Sequence, residues 1–145
     1  RMADVSDIYG WKYAEDYEES TDGERIDLKP VPRQVMVFEV NGPMFFGAAD
    51  KIGQIPLDSD KKVLILRMRS VPAMDATALN GLKKLNARCR KARITMILSH
   101  VNEQPLSVME KAGFDKEIGR ENIAPRIDDA ICRAGEILSG ANPVD

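Results

Sequence analysis

The sequence predicts a single α/β domain with a mixed, mostly parallel central sheet of about four to five strands and with helices packed on that sheet. Short apolar segments alternate with longer amphipathic ones over residues 31–140, as in strands joined by helical crossovers. Residues 63–66 are continuously apolar, which is typical of a strand covered by helices on both faces. A chain of 145 residues is long enough to form one such core.

The first elements are predicted from apolar runs and turn residues. A strand over 35–40 ends at the turn signal Asn-Gly-Pro of 41–43, and the short apolar piece 44–46 follows too closely for a crossover. We therefore expect these two pieces to pair as an antiparallel hairpin at one edge of the sheet. A helix from about residue 47 to 55 comes next, and turn residues and acids over 56–60 close it.

The second half of the domain shows clearer periodicity. A strand over 63–68 leads into a helix over 76–91, a strand over 94–99 leads into a helix over about 104–112, and Gly113 is placed to end that helix in the left-handed conformation. A last helix begins near Pro125. The residues predicted to share the inner face are Ala78, Leu79, Leu82, Leu85, Asn86 and Cys89 in the second helix, and the apolar face of the last helix is Ile127, Ala130, Ile131, Ala134, Ile137 and Leu138.

Charge divides the chain. Residues 1–30 hold nine acidic and four basic side chains, within a net charge of −2 for the whole chain, so we interpret them as an acidic linker. Residues 141–145 are a short tail. Apolar runs do not exceed four residues, too few to cross a bilayer, and the polar amino end shows no signal peptide. Cys89 and Cys132 are both expected to be buried thiols in a reducing compartment.

Side chains that could carry catalysis are scarce. The sequence has one histidine and no metal-type cysteine spacing, Gly-rich phosphate loop or nucleophile elbow. We therefore expect neither an enzyme nor a metal site. His100 ends a predicted strand at the carboxyl edge, where it either faces a ligand or is a structural residue of that edge.

The most informative segment is the loop of residues 71–75 with the strand before it and the helix after it. Such a turn lies at the carboxyl edge of an open α/β sheet, where ligands and partners commonly bind. The first N–H groups of the helix can receive an anion, but Asp75 is placed to cap them itself. What occupies this turn is therefore the main question about function.

Three segments in order resemble the STAS domain family. Residues 71–79, Val-Pro-Ala-Met-Asp-Ala-Thr-Ala-Leu, resemble its signature loop, and residues 105–114 resemble its next helix with the Gly-Phe close. Residues 41–49 are similar to the branch found in SulP anion transporters, and residues 1–5 resemble the junction after the last membrane helix of those proteins. The resemblance implies a STAS domain over 31–140, preceded by the linker of residues 1–30.

The resemblance also implies a binding or regulatory loop, formed by Phe45, Asp75, Ala76, Thr77 and Ala78. In the anti-sigma-factor antagonists of the family, the first hydroxyl after the aspartate is phosphorylated. Here that position is Ala76, Thr77 matches the second hydroxyl, and Ala78 replaces a glycine. These departures favour the transporter branch over the alternative, a stand-alone signalling module, and they favour a structural role for Thr77 over its phosphorylation.

The function implied is that of a non-catalytic, regulatory STAS domain of a bacterial SulP-type secondary transporter for sulfate or a related anion, on the cytoplasmic face of the inner membrane. Its expected partners are the transporter's own membrane domain and a second copy in a transporter homodimer. Acyl carrier protein and a nucleotide are further candidate partners, because some family members are proposed to bind them. Five basic residues of the second helix either form a binding face for these acidic partners or complement the helix dipole. They are Lys83, Lys84, Arg88, Arg90 and Lys91. Nucleic acid is not expected, since aromatic residues do not interleave with these cations.

Overall fold

The computed structural model of the chain describes residues 31–45 and 47–140. The predicted linker of residues 1–30 and the tail of residues 141–145 lie outside the described residues. The elements are β1 (Val35–Asn41), α1 (Ala48–Gly53), β2 (Val63–Ser70), α2 (Ala76–Lys91), β3 (Thr95–Ser99), α3 (Glu103–Lys111), α4 (Phe114–Ile118), a 3-10 turn (Arg120–Asn122), β4 (Ile123–Ala124) and α5 (Ile127–Leu138). In this part of the chain no helix has the length and apolar character that a membrane span requires.

The four strands form one sheet in the order β1-β2-β3-β4. Val35 pairs with Val63, which in turn pairs with Thr95, and Leu98 pairs with Ile123. All these pairings are parallel, so the carboxyl ends of the strands meet at one edge and the helices serve as crossovers. The predicted α/β fold class is thereby confirmed.

The predicted hairpin between 35–40 and 44–46 is wrong. Met44 makes an isolated parallel bridge with Met74, because the chain continues past β1 in the same direction instead of turning back. Gly42 has a φ of 86°, a conformation open to glycine, and its N–H donates to the carbonyl of Ser70 at 2.9 Å. The segment after β1 therefore lies beside the loop after β2.

Two apolar cores cover the two faces of the sheet. Alternate residues of β2 point to opposite sides: Leu64 and Leu66 join the larger core with α1 to α4, whereas Val63 and Ile65 join the smaller core under α5. All six residues predicted on the inner face of α2 are buried, and five of them are apolar. Of those predicted on α5, Ile127, Ala130 and Ala134 belong to the smaller core, and Ile131, Ile137 and Leu138 are partly buried and pack against it.

The two cysteines differ in their surroundings. Cys89 is buried on the inner face of α2, as predicted, but Cys132 is exposed, so the prediction for Cys132 is wrong. Cys132 follows the buried Ala130 by two residues, which turns it about 200° around the helix axis. It therefore faces away from the core.

Three short elements were not predicted from the sequence: α4, the 3-10 turn and β4. Each has five residues or fewer, too few to show a hydrophobic period. Gly113 was predicted to be left-handed and is, with a φ of 75°; it ends α3 and begins α4.

A buried ion pair lies between β1 and β2 near the carboxyl edge. Arg67 is fully buried and its Nη1 donates to Oε1 of Glu39 at 3.1 Å. The two residues are register partners in the parallel ladder. They project to the same side as Val63 and Ile65, beneath α5.

Helix α1 crosses α2 at very close range because Gly81 lacks a side chain. A Cβ at position 81 would lie 2.4 Å from the carbonyl oxygen of Ala49 and 2.9 Å from its Cα. Contact between the two backbones therefore fixes where α1 sits. Since Phe45 and Gly47 lie just before α1, this contact also positions these two residues.

Candidate functional site

The candidate site is the loop 71–75, which connects β2 to α2 at the carboxyl edge. Asp75 is the N-cap residue of α2, with extended backbone angles, and its Oδ1 accepts the N–H of Ala78 at 2.8 Å. The predicted cap is thus observed. An anionic ligand at this helix start would have to compete with the carboxylate that already occupies it.

One side of the loop is held by the backbone of the segment after β1. Met44 N–H donates to the carbonyl of Ala73 at 2.9 Å, and Asp75 N–H donates to the carbonyl of Met44 at 3.1 Å. The side chains of Met44 and Met74 are both buried beneath these bonds. This pairing brings Phe45 next to the start of α2.

The other side of the loop is held by two amide side chains at the start of α3. Asn102 Nδ2 donates to the carbonyls of Val71 at 2.8 Å and Arg69 at 3.0 Å. Gln104 makes two hydrogen bonds to the backbone of Met74. Its Oε1 accepts the Met74 N–H at 2.8 Å, and its Nε2 donates to the Met74 carbonyl at 3.1 Å. The loop is therefore a rigid platform.

Sequence reasoning did not identify Asn102 and Gln104 as residues that shape the site. The available signal was an Asn at a helix start, a preferred capping position. In the structure, Asn102 is the N-cap residue of α3 but makes no capping bond with its side chain, because that amide is bonded to the loop after β2 instead.

The platform presents a mainly apolar surface to the outside, which we call the carboxyl-edge surface and define as Phe45, Pro72, Ala76 and Thr77. All four are exposed. Phe45 is 51% exposed and is the one large hydrophobic residue that is exposed among the described residues. Of the five predicted loop residues, the structure brings Phe45, Asp75, Ala76 and Thr77 together here and buries Ala78 beneath them.

His100 lies on the same edge, directly after β3. Its backbone has a φ of 54°, which is uncommon for a non-glycine residue, and its N–H donates to the carbonyl of Ala124 at 2.9 Å. The ring is half-buried, and Nδ1 is buried with no hydrogen-bond partner among the described residues. Both interpretations of His100 stay predictions. Over residues 31–45 and 47–140 no three His, Cys, Asp or Glu side chains are grouped to hold a metal.

The basic group on α2 divides into two kinds of residue. Arg88 Nη1 donates to the carbonyls of Gly53 and Ile55, each at 2.8 Å, so it caps the end of α1. Arg90 Nη2 donates to the carbonyl of Glu117 at 2.6 Å. The three lysines of the group extend from the outer side of α2 with Lys84 and Lys91 exposed and Lys83 half-buried. A binding face for an acidic partner, such as acyl carrier protein or a nucleotide, stays a prediction centred on these lysines.

The fold and loop correspond to a known domain family. Residues 28–130 match the STAS domain family, and the chain belongs to it. Among solved structures, the chain resembles a sulfate transporter family protein from Wolinella succinogenes, with a TM-score of 0.74, 34% identity, and coverage of 82% of this chain and 99% of that one. It also resembles the STAS domain of a SulP transporter from Vibrio cholerae, with a TM-score of 0.63, 30% identity, and coverage of 77% and 88%.

The sequence relatives are transporters much longer than this chain. The putative sulfate transporter YvdB of Bacillus subtilis is 26% identical over 98 residues, which cover 66% of this chain and 18% of the relative. Sulfate transporter 3.2 of Arabidopsis thaliana is 21% identical over 123 residues, which cover 75% of this chain and 19% of the relative. The chain therefore spans about a fifth of the length of the curated relatives it matches.

Proposed function

We propose that this chain is the cytoplasmic, non-catalytic regulatory domain of a SulP-type transporter of sulfate or a related anion, and that its carboxyl-edge surface docks on the membrane domain of the transporter. The family, the names of the relatives and their greater length support the transporter context. The observation that carries the docking role is Phe45, a large apolar side chain 51% exposed on a rigid loop.

The chemistry of the loop supports contact over catalysis or phosphotransfer. The Asp75 carboxylate accepts a backbone N–H, and Ala76, at the position phosphorylated in the antagonist branch, has no hydroxyl. Thr77 is exposed at the second position of α2. An exposed apolar ring on a rigid loop is suited to binding a protein surface.

The expected contribution of Phe45 to docking follows from its burial. Full burial of a Phe side chain is worth about 1.5–3 kcal/mol, and about half of this side chain is still exposed. Covering the remainder therefore stabilises the docked state by about 1 kcal/mol. The loop is already ordered by Asn102, Gln104 and Met44, so docking loses little conformational entropy there.

The proposal is tested in the full-length transporter by site-specific photo-crosslinking. A benzoylphenylalanine replaces Phe45, or Lys111 as an exposed control residue at the far end of α3. We expect position 45, and not position 111, to form a crosslink to the membrane domain, and we expect F45S to alter sulfate uptake in proteoliposomes while K111S does not. If the crosslinks from positions 45 and 111 are equal and F45S transports normally, the docking role is wrong.

A further inference from the structure

A second feature lies at the opposite end of the sheet from the carboxyl-edge surface. A cavity of about 380 Å³ opens between the second half of α2, the beginning of β3 and the segment formed by α4 and the 3-10 turn. Its volume is within the range of small-molecule sites, about 300–1,000 Å³. Thr95, the first residue of β3, lines it, so the cavity is separate from the docking surface proposed above.

The cavity exists because β4 is too short to cover β3. Within the described residues, β4 pairs only with Leu98 and Ser99. Thr95 N–H donates to the carbonyl of Lys62, on the side of β3 that faces β2. His100 N–H donates to the carbonyl of Ala124, on the side that faces β4. Because alternate residues of a parallel strand bond to alternate sides, the main chain of Met96 faces the cavity.

One wall of the cavity holds an amide without a partner. Asn86 is 3% exposed on the inner face of α2, and its Nδ2 is buried with no hydrogen-bond partner among the described residues. A buried donor left unbonded costs about 1–3 kcal/mol. Asn122 on the opposite wall is different: its Nδ2 donates to the Ile118 carbonyl and its Oδ1 accepts from Arg133. Asn86 lines the cavity but its Nδ2 is closed off from it, so a ligand could use this donor only after the side chain turns towards the cavity.

The charged lining of the cavity carries both signs. Arg90 and Lys116 supply cations, and Glu117 and Glu121 supply carboxylates. Arg90 is positioned by its bond to the Glu117 carbonyl. A purely anionic ligand would face the two carboxylates, and a purely cationic one would face the two cations, so complementarity favours a ligand with both charges.

Three apolar residues of the lining are buried. Ile94, Met96 and Ile118 are between 1% and 6% exposed and all three line the cavity. Such a floor favours a ligand that also carries a hydrocarbon group. The cavity thus combines an amide donor, charges of both signs and an apolar floor.

We propose that this cavity binds a free amino acid with an apolar side chain. The carboxylate of the ligand faces Arg90 and Lys116 and accepts from Asn86 Nδ2 once that side chain turns towards the cavity. The ammonium faces Glu117, and the side chain of the ligand packs on the buried floor. The domain would then sense a small metabolite at the end of the sheet opposite the docking surface. This site does not depend on the proposed transporter function, because binding is measured on the chain alone.

The test compares three probes in ¹H–¹⁵N NMR titrations of the 145-residue chain. L-leucine carries both charges, 4-methylpentanoate is the same skeleton without the ammonium, and 3-methylbutylamine lacks the carboxylate. We expect L-leucine to shift the Asn86 side-chain amide and the Thr95 and Gly119 backbone amides, and each single-charge analogue to bind about tenfold more weakly. Equal binding of the three probes, no shifts with L-leucine, or shifts confined to residues outside the cavity would overturn the proposal.

A matched pair of variants separates binding from folding. N86L replaces the unpaired amide by an apolar side chain with the same number of heavy atoms, so we expect a folded variant that binds L-leucine about tenfold more weakly. N80L is the control, because Asn80 is exposed on the same helix, and it should bind L-leucine as the parent does. Unchanged binding by N86L would refute the site. If N86L fails to fold, the probe series decides the question on the unmodified chain.

Discussion

Gly81→Ala tests whether the close crossing of α1 and α2 positions the segment that carries Phe45. The new methyl group would lie 2.4 Å from the Ala49 carbonyl oxygen, and real Cβ atoms do not come within 3.0 Å of such neighbours. Helix α1 must therefore retreat by at least about 0.6 Å. Overpacking of this kind costs about 1–3 kcal/mol, against a gain of up to about 1 kcal/mol from replacing a helical glycine by alanine.

The expected net effect of Gly81→Ala is a loss of up to about 2 kcal/mol in the free energy of unfolding. For a domain of this size the melting temperature falls by up to about 6 °C. Urea denaturation followed by circular dichroism measures the free energy. Because Phe45 and Gly47 lie just before α1, NMR spectra of the variant should also show shifted amides for these two residues.

Gly135→Ala provides the matched control, since Gly135 lies inside α5 and a Cβ there meets nothing within 4 Å. We expect this variant to be more stable than the parent by up to about 1 kcal/mol. The two glycine variants should therefore change stability in opposite directions. If Gly81→Ala is as stable as Gly135→Ala, the backbone contact does not constrain α1 and the reasoning is refuted.

Three further predictions concern the loop and the buried thiol. Asp75→Ala should lose about 1 kcal/mol of stability with the N-cap, measured by urea denaturation. Asn102→Ala leaves the loop carbonyls without their donor and should cost about 1–3 kcal/mol; shifts confined to α3, with the loop amides of 71–75 unchanged, would contradict it. Burial raises the pKa of the Cys89 thiol to about 11, so at pH 8 a thiol reagent should label Cys132 quickly and Cys89 only on unfolding. Because the pKa of Cys89 is higher in the folded state, this thiol stabilises the fold fully below about pH 9 and less as the pH rises towards 11. The variant C89A should not show this loss of stability.

The structure shows which sequence signals are sufficient. Helix α2 has the predicted bounds because Asp75 supplies a cap and six inward positions repeat at the helical period. The apolar piece 44–46 was predicted wrongly, because a turn so soon after β1 is typical of a hairpin. The direction of the chain at Met44 instead depends on its hydrogen bond to Ala73, 29 residues away in the sequence. The roles of Arg88 and Asn102 could not be predicted from the sequence either, since each side chain donates to carbonyls more than 30 residues away along the chain.

The site shows the same distinction between local and distant signals. The loop 71–75 could be located from its own residues, and the sheet edge it occupies followed from the strand-loop-helix order. The unpaired amide of Asn86 could not be predicted, because a single polar residue on an apolar helix face gives no indication of the gap left by a two-residue β4.

The buried ion pair of Glu39 and Arg67 favours one alignment of β1 with β2. A slip of one residue between β1 and β2 would point one of the two charges into the opposite core and leave the other buried alone. Breaking a buried pair in this way costs about 3–5 kcal/mol, a large part of the stability of a domain. The pair therefore excludes misaligned sheets, which apolar contacts alone tolerate. It keeps Asn41 and Ser70, the last residues of the two strands, side by side at the edge that presents Phe45.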